Sequence, residues 1–533
     1  MTPRNPSMTA SSSFARFPRH ATNAMKASSE LSRERSRFHP GLLAALAIGP
    51  FAFLAPLASA GTGHAATSTA AEKLVIEAGR IITQAGPDVV DGLIVIENGR
   101  ITAIGRASEI EKPWDATVLG GPEFVAFPGF VEAHSSEGMD RPNENVDVTP
   151  FLDVRDSIDP VAYFFEDCLR WGITTVNIQQ GPNCIIGARG MVVRPVGMTV
   201  EEMMVRPNFG LKLAAAPKSG RSRATQRQAL RSAFRDLKRY LEDLVEKESD
   251  ERGYASREAL FQGREFEGEK AKGRPMGGTT WKVEGLETIP RGAIDEKWEP
   301  LLDLVEGQYQ VFFYCAQPMD VPAALEVARE NGFLARTTLV IEEDCWKAAD
   351  LIAEAGVPVV LDDDLVHIER DPVTGEEIET FVPGILAEKG IRFALSSKNA
   401  NTNSLWFQAS LAIGLGLDRA LALDSVTKVP AEILGMGRDI GSLEVGKLAN
   451  VVLFSGDPLD VTSWVDRVVV EGREVYDRSE DVRFRQILEG AQPPGTAASA
   501  TADEGAEDEE QGGEDDEEKD DGPVEESDDG EGK

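Results

Sequence analysis

Five histidines occur in this chain, and only His134 and His367 fall within its main body; His20, His39 and His64 lie near the N-terminus. His134 closes the run Pro128-Gly129-Phe130-Val131-Glu132-Ala133-His134, followed by Ser135 and Ser136. An imidazole titrates at about 6.5, which suits a general base near neutral pH. The simpler reading is an imidazole held by hydrogen bonds without chemistry. Lys398 ends the run Ser396-Ser397-Lys398. A buried lysine can serve as a base or a Schiff-base nucleophile. More simply, its ammonium pairs with Glu343 or Asp344.

Cys315, next to Tyr314, would form a nucleophile–base couple with His134 only within hydrogen-bond reach, and nothing in the spacing places them so. Arg141, in the polar stretch 137–145, offers a fork for a carboxylate ligand, or a partner for Asp140 or Glu144. Asp362-Asp363-Asp364, with His367 close behind, could hold Ca²⁺ or another hard cation. Consecutive residues of an extended segment face alternate sides, so a solvated acidic loop is the simpler expectation.

The elements that must position these residues follow from periodicity. Residues 73–127 alternate in short runs with Asn98-Gly99 between two of them, which predicts antiparallel hairpins. A second β stretch, with Glu471-Gly472 in its turn, returns roughly 300 residues later. The two predict a small β-sandwich assembled from 73–127 and 437–480. Between them, apolar strands alternate with helical patterns, the mark of parallel βα units. Strands are expected at 124–134, 173–178, 211–216, 310–316, 338–342, 357–361 and 392–396, with a Gly-rich loop at 181–190. Helices are expected at 160–171, 224–247, 321–330, 345–355 and 383–388. Enough units exist for an eight-stranded (β/α)8 barrel over 128–436. Residues 250–300 are charged and poorly periodic, as an insertion or lid would be.

The ends differ from the body. A basic segment leads into the apolar run 41–60, which closes on Ala58-Ser59-Ala60. That pattern predicts a secretory signal peptide over 1–60, hence export to a periplasmic or extracellular location, with Met25 an alternative start. Pro50 and Pro56 interrupt the run, which counts against a membrane anchor. Residues 501–533 carry 18 Asp and Glu against two Lys, within a net charge of −35 for the chain. Such an acidic chain would repel phosphates, which excludes nucleic acid as a partner. Segment 481–533 is expected to be a disordered acidic tail. The four cysteines, 168, 184, 315 and 345, form no Cys-x-x-Cys pair. Cys315–Cys345 is the one pairing to consider, and buried free thiols are the preferred reading.

Pro-Gly-Phe-Val-Glu-Ala-His, the tract 426–435, and Gly441-Ser442-Leu443-Glu444-Val445-Gly446-Lys447-Leu448-Ala449-Asn450 together resemble the metal-dependent amidohydrolase superfamily across nearly all of 73–480. Residues 148–160 and 171–190 resemble its imidazolonepropionase-like branch. The resemblance implies hydrolysis of cyclic or acyclic amides by hydroxide formed on one or two divalent metals at the C-terminal ends of the barrel strands. It also implies ligand contacts from Asn183 and Arg189.

This chain departs from the superfamily's ligand pattern at four positions. Ser136 stands where the second histidine of the first strand belongs. Tyr314 replaces the histidine of the fifth strand and Glu343 that of the sixth. Lys398 replaces the aspartate of the eighth, where an ammonium would repel a metal. The expectation is therefore no resident metal or other cofactor. Two functions follow. One is a divergent hydrolase of non-peptide carbon–nitrogen bonds, with His134 and Lys398 acting and Ser136, Arg141, Asn183, Arg189, Tyr314 and Glu343 lining the substrate site. The other is a non-catalytic pseudoenzyme that binds a small molecule or protein partner at the barrel mouth. Oligomerisation is compatible with both.

Overall fold

Apolar alternation at the start of the chain forms strands β1 (Lys73–Ile81), β2 (Val89–Glu97) and β3 (Arg100–Arg106), an antiparallel meander. Asn98 and Gly99 both adopt positive φ, 52° and 77°, the conformation that lets a two-residue turn follow the strand twist. Strand β4 (Thr117–Pro128) returns parallel to β1. A computed structural model describes residues 73–261, 283, 285–286, 289–362, 364–397 and 404–489. All lie in the unit Ser68–Lys533. The expected signal segment, residues 490–533 of the expected tail and Lys398 fall outside the described residues; the start of that tail is instead ordered, a helix at Val482–Glu489 held where Asp481 accepts from Arg170 Nε at 2.6 Å.

Eight strands form the second sheet. They begin with β5 (Phe130–Ser135), β6 (Ile173–Ile178), β7 (Ile186–Val193) and β8 (Met204–Ala214). Next come β9 (Gln310–Cys315), β10 (Thr337–Ile341) and β11 (Val359–Leu361). A separate hairpin, β12 (Val366–Arg370) with β13 (Glu377–Phe381), precedes β14 (Phe393–Leu395). The order β14-β11-β10-β9-β8-β7-β6-β5 follows the chain around a nearly closed barrel. Residues 425–426 stand between the end strands: Val131 N donates to Val426 O at 3.0 Å and Leu395 N to Ser425 O at 3.1 Å.

One strand corrects the sequence reading. Residues 186–190 of the Gly-rich stretch expected as a loop belong to strand β7, antiparallel to both neighbours, while the other pairings are parallel. A parallel crossover needs a dozen or more residues. Only 179–185 separate β6 from β7, so the chain must turn back. The glycines serve packing: a Cβ on Gly190 would lie 1.9 Å from the buried Gln179 side chain.

Side-chain alternation separates two apolar clusters. Val311, Phe313 and Cys315 pack with residues of the surrounding helices, among them Leu301 and Leu325. Phe312 and Tyr314 pack instead with Val340, Val360 and Ala394, which places these alternates in the barrel interior. All four cysteines are buried free thiols; Cys345 Sγ donates to Cys315 O at 3.2 Å.

Strands β15 (Val451–Phe454), β16 (Val465–Val470) and β17 (Arg473–Asp477) follow, and the described part closes with a helix, Val482–Glu489. Strand β15 pairs antiparallel with β4, so both flanks join one seven-stranded sheet, β17-β16-β15-β4-β1-β2-β3.

The junction of the two sheets is tight at Gly129. A Cβ there would lie 2.1 Å from Thr174 Oγ1, and Thr174 is buried and branched. Gly129→Ala should therefore destabilise the fold by about 1–3 kcal/mol through overpacking. Urea denaturation checks this, and a wild-type midpoint would refute it.

Candidate functional site

Lys212 lies in the apolar sequence Phe209-Gly210-Leu211-Lys212-Leu213-Ala214 of β8 and is completely buried. Its Nζ is 2.6 Å from His134 Nε2, near the end of β5. His134 Nδ1 in turn faces Asp362 Oδ1 at 3.5 Å, just beyond β11. Ser396, just beyond β14, donates to the same Asp362 oxygen at 2.8 Å and to His134 O at 3.2 Å. Four strands far apart in sequence thus bring one lysine, one histidine, one aspartate and one serine together.

The electrostatics are mutually consistent. Burial lowers Lys212 to about 8, opposed by the Asp362 carboxylate. Burial, then the Lys212 charge, push His134 below its usual value. Burial acts to raise Asp362, but His134, Lys212 and Ser396 together leave it below the carboxylate range. At neutral pH the arrangement is an ammonium, a neutral imidazole and a carboxylate. The neutral imidazole must accept at Nε2 from Lys212, so its proton sits on Nδ1, toward Asp362.

Tyr314, near the end of β9, places its ring 5.5 Å from Lys212 Nζ and donates its hydroxyl to Glu342. Glu132 closes the seam between β5 and β14. Its carboxylate accepts from Ser397 N at 2.8 Å, Ser397 Oγ at 2.5 Å and His134 N at 3.4 Å. It is fully buried, and burial raises it to about 7 against those hydrogen bonds.

The residues expected from sequence are distributed unevenly. His134 is central and Tyr314 is adjacent. Ser136 follows the end of β5 and is partly exposed. Glu343 opens a short 3-10 helix, and its carboxylate lies 3.9 Å from His367 Nδ1; Glu342 is the residue that meets Tyr314. Arg141 is exposed, with its backbone N–H on Asp140. Asn183 ties loops, accepting from Ser219 N at 2.8 Å while its own N–H reaches Asn143. Arg189 holds the 151–153 segment through Phe151 O, Leu152 O and Asp153. Within the acidic triplet, Asp362 joins the cluster and Asp364 is exposed. Lys212, Glu132 and Ser396 were not expected; the signal for Lys212 was a single charge inside a strand otherwise apolar on both faces.

A model of the Amidohydrolase family matches residues 319–475, from the helix after β9 to β17. An amidohydrolase from Thermotoga maritima MSB8 superposes with a TM-score of 0.59 at 25% identity, covering 76% of this chain and 100% of that one. The chain is thus similar to amidohydrolases in the sequence of 319–475 and in fold. Amidohydrolase tasK of Hapsidospora irregularis is 24% identical over 426 residues, 72% of this chain. The chain spans only 40% of that relative's length.

The metal that the family implies can be tested against the side chains present. Among the described residues, no group of three or more His, Cys, Asp and Glu is arranged to hold a metal ion. The imidazole nitrogen best placed to ligate, His134 Nε2, is occupied by the Lys212 ammonium. A divalent cation there would meet a like charge in a buried site. The described residues do not fit the family metal.

Proposed function

We propose that this protein is an amidohydrolase that hydrolyses carbon–nitrogen bonds other than peptide bonds, in cyclic amides, at its barrel mouth and without the family metal set. The observation that carries this reading is the Lys212–His134–Asp362 chain at the C-terminal ends of the barrel strands. A preorganised buried ammonium stabilises negative charge developing on a carbonyl oxygen, the task that a cation performs in the family. Asp362, the most exposed of the three, is the acceptor placed for a water proton. Its lowered pKa makes it a weak base, so turnover should be slow.

A second reading, a non-catalytic binder, is favoured by the burial of Lys212 at 0% and His134 at 3% exposure. Metal content and hydantoin or lactam turnover separate the two. The hydrolase reading expects turnover after dialysis against chelator, with Asp362→Asn lowering it by more than about 100-fold. Zinc retained stoichiometrically and lost in His134→Ala would refute metal-free action. No turnover, with a cyclic amide raising the melting temperature, would establish the binder. Lys398→Met, tested in the same assay, reports whether the residue one position beyond Ser397 also acts.

The finer assignments belong to the same proposal. The tracts at 148–160 and 171–190 support the imidazolonepropionase-like branch, and the run 41–60 supports export. The flanking sheet is read as a small sandwich because both its faces carry apolar clusters, Leu74 and Ile76 on one and Val75 and Leu93 on the other. The acidic tail is read as solubilising.

A further inference from the structure

Lys212 has a feature that a purely electrostatic role leaves unused. Its ammonium carries three N–H donors, and among the described residues its hydrogen-bond acceptor is His134 Nε2. That acceptor is a nitrogen base whose other ring nitrogen faces a carboxylate oxygen at 3.5 Å. A nucleophile touching a base, with the base oriented by a third group, is the arrangement that activates a covalent catalyst. We propose that Lys212 is a nucleophilic lysine that captures a small neutral aldehyde or ketone as a Schiff base, with His134 as the proton acceptor and Asp362 as its positioning residue.

The steps balance within these residues. The Lys212 ammonium passes a proton to His134 Nε2, and the Asp362 carboxylate stabilises the imidazolium that forms. The freed Nζ lone pair attacks the carbonyl carbon, forming the C–N bond while the π pair moves to oxygen. That oxygen takes the proton from His134, giving a carbinolamine. A further proton, from nitrogen by way of His134, lets the hydroxyl leave as water. The net change is ammonium plus carbonyl giving protonated imine plus water, with no oxidant or reductant.

Several observations favour this chemistry over simple charge replacement. Burial holds Lys212 at about 8, so free amine is available near neutral pH, where ordinary surface lysines are almost wholly protonated. The interior beside β8 has unmet polar capacity, since Gln179 Oε1 and Gln180 Nε2 are buried without partners. The wall there is closely packed, since a Cβ on Gly187 would lie 2.8 Å from Gln180 Oε1 and 3.2 Å from Lys212 Cβ, so the carbonyl compound must be small. The Asp362 charge at the open side disfavours anionic carbonyl compounds, which is why the proposed substrate is neutral. Capture does not require that the site hydrolyse amides, so failure of either proposal leaves the other standing.

The test is borohydride trapping with acetaldehyde at pH 7 on the full-length protein, read by intact mass and peptide mapping. The expected result is one reduced ethyl adduct on Lys212 at least ten times faster than on any other lysine. Asp362→Asn should slow it, and Lys212→Arg, which keeps the charge, should abolish it. Circular dichroism on each variant verifies folding. Adducts spread over surface lysines in the folded wild type, with Lys212 unmodified, would overturn the proposal. So would an Asp362→Asn protein that folds and traps at the wild-type rate.

Discussion

Asp362→Ala is expected to destabilise the protein by about 3 kcal/mol, whereas Lys212→Met is expected to change stability by less than about 1 kcal/mol. The asymmetry follows from what each change leaves behind. Without Asp362, a fully buried ammonium keeps, among the described residues, a neutral imidazole and the face of Tyr314. An uncompensated buried charge is among the costliest defects a mutation can make. Without Lys212, Asp362 keeps the Ser396 hydroxyl and partial exposure to water. Methionine fills a similar volume, and replacing a buried charge by an apolar chain is often neutral. Urea denaturation of both variants at pH 7 measures the difference. Equal destabilisation would show that Lys212 is not charged in the folded state, or that Asp362 is not its counter-charge.

Glu132→Gln should change how stability depends on pH. The folded protein holds Glu132 protonated up to about 7, while the unfolded chain releases that proton near its ordinary value of 4.5. Between those limits the native state binds more protons, so the wild type loses stability as pH rises from 4.5 to 7. The loss is of order 3 kcal/mol and is complete above pH 7. Glutamine cannot ionise and keeps an acceptor for Ser397, so the variant should be the more stable protein at pH 8 and similar at pH 4.5. Unfolding free energies at pH 4.5, 6 and 8 test this. A wild-type slope retained in the variant would place the titration elsewhere.

The two predictions bear on how much the sequence revealed. His134 was legible because it ends a strand whose leading Pro-Gly and apolar run mark a barrel entry. Tyr314 was legible through its place at a strand end. Glu343 was expected to line the site; β10 ends at Ile341, and Glu342 reaches Tyr314 while Glu343 faces His367. Asp362 was read with its two neighbours as a solvated loop, and alternation, which sets residues two apart on one face, does not separate Asp362 from Asp364. It could not say which of them would face inward.

Local pattern was enough to determine the alternation of strands and helices, the two β flanks and the family order of motifs, because each depends on residues two to seven positions apart. The polar centre was decided only by closing the barrel. Lys212 is 78 residues from His134, and its countercharge lies on yet another strand. Whether a lone lysine in an apolar strand is buried beside a base or turned to solvent depends on which face the sheet closes over. The same holds for β7, whose reversal was set by a connection too short to cross back over the sheet. Spacing along the chain specifies the elements, and it is the curvature and closure of the sheet that bring their charges within a few ångströms.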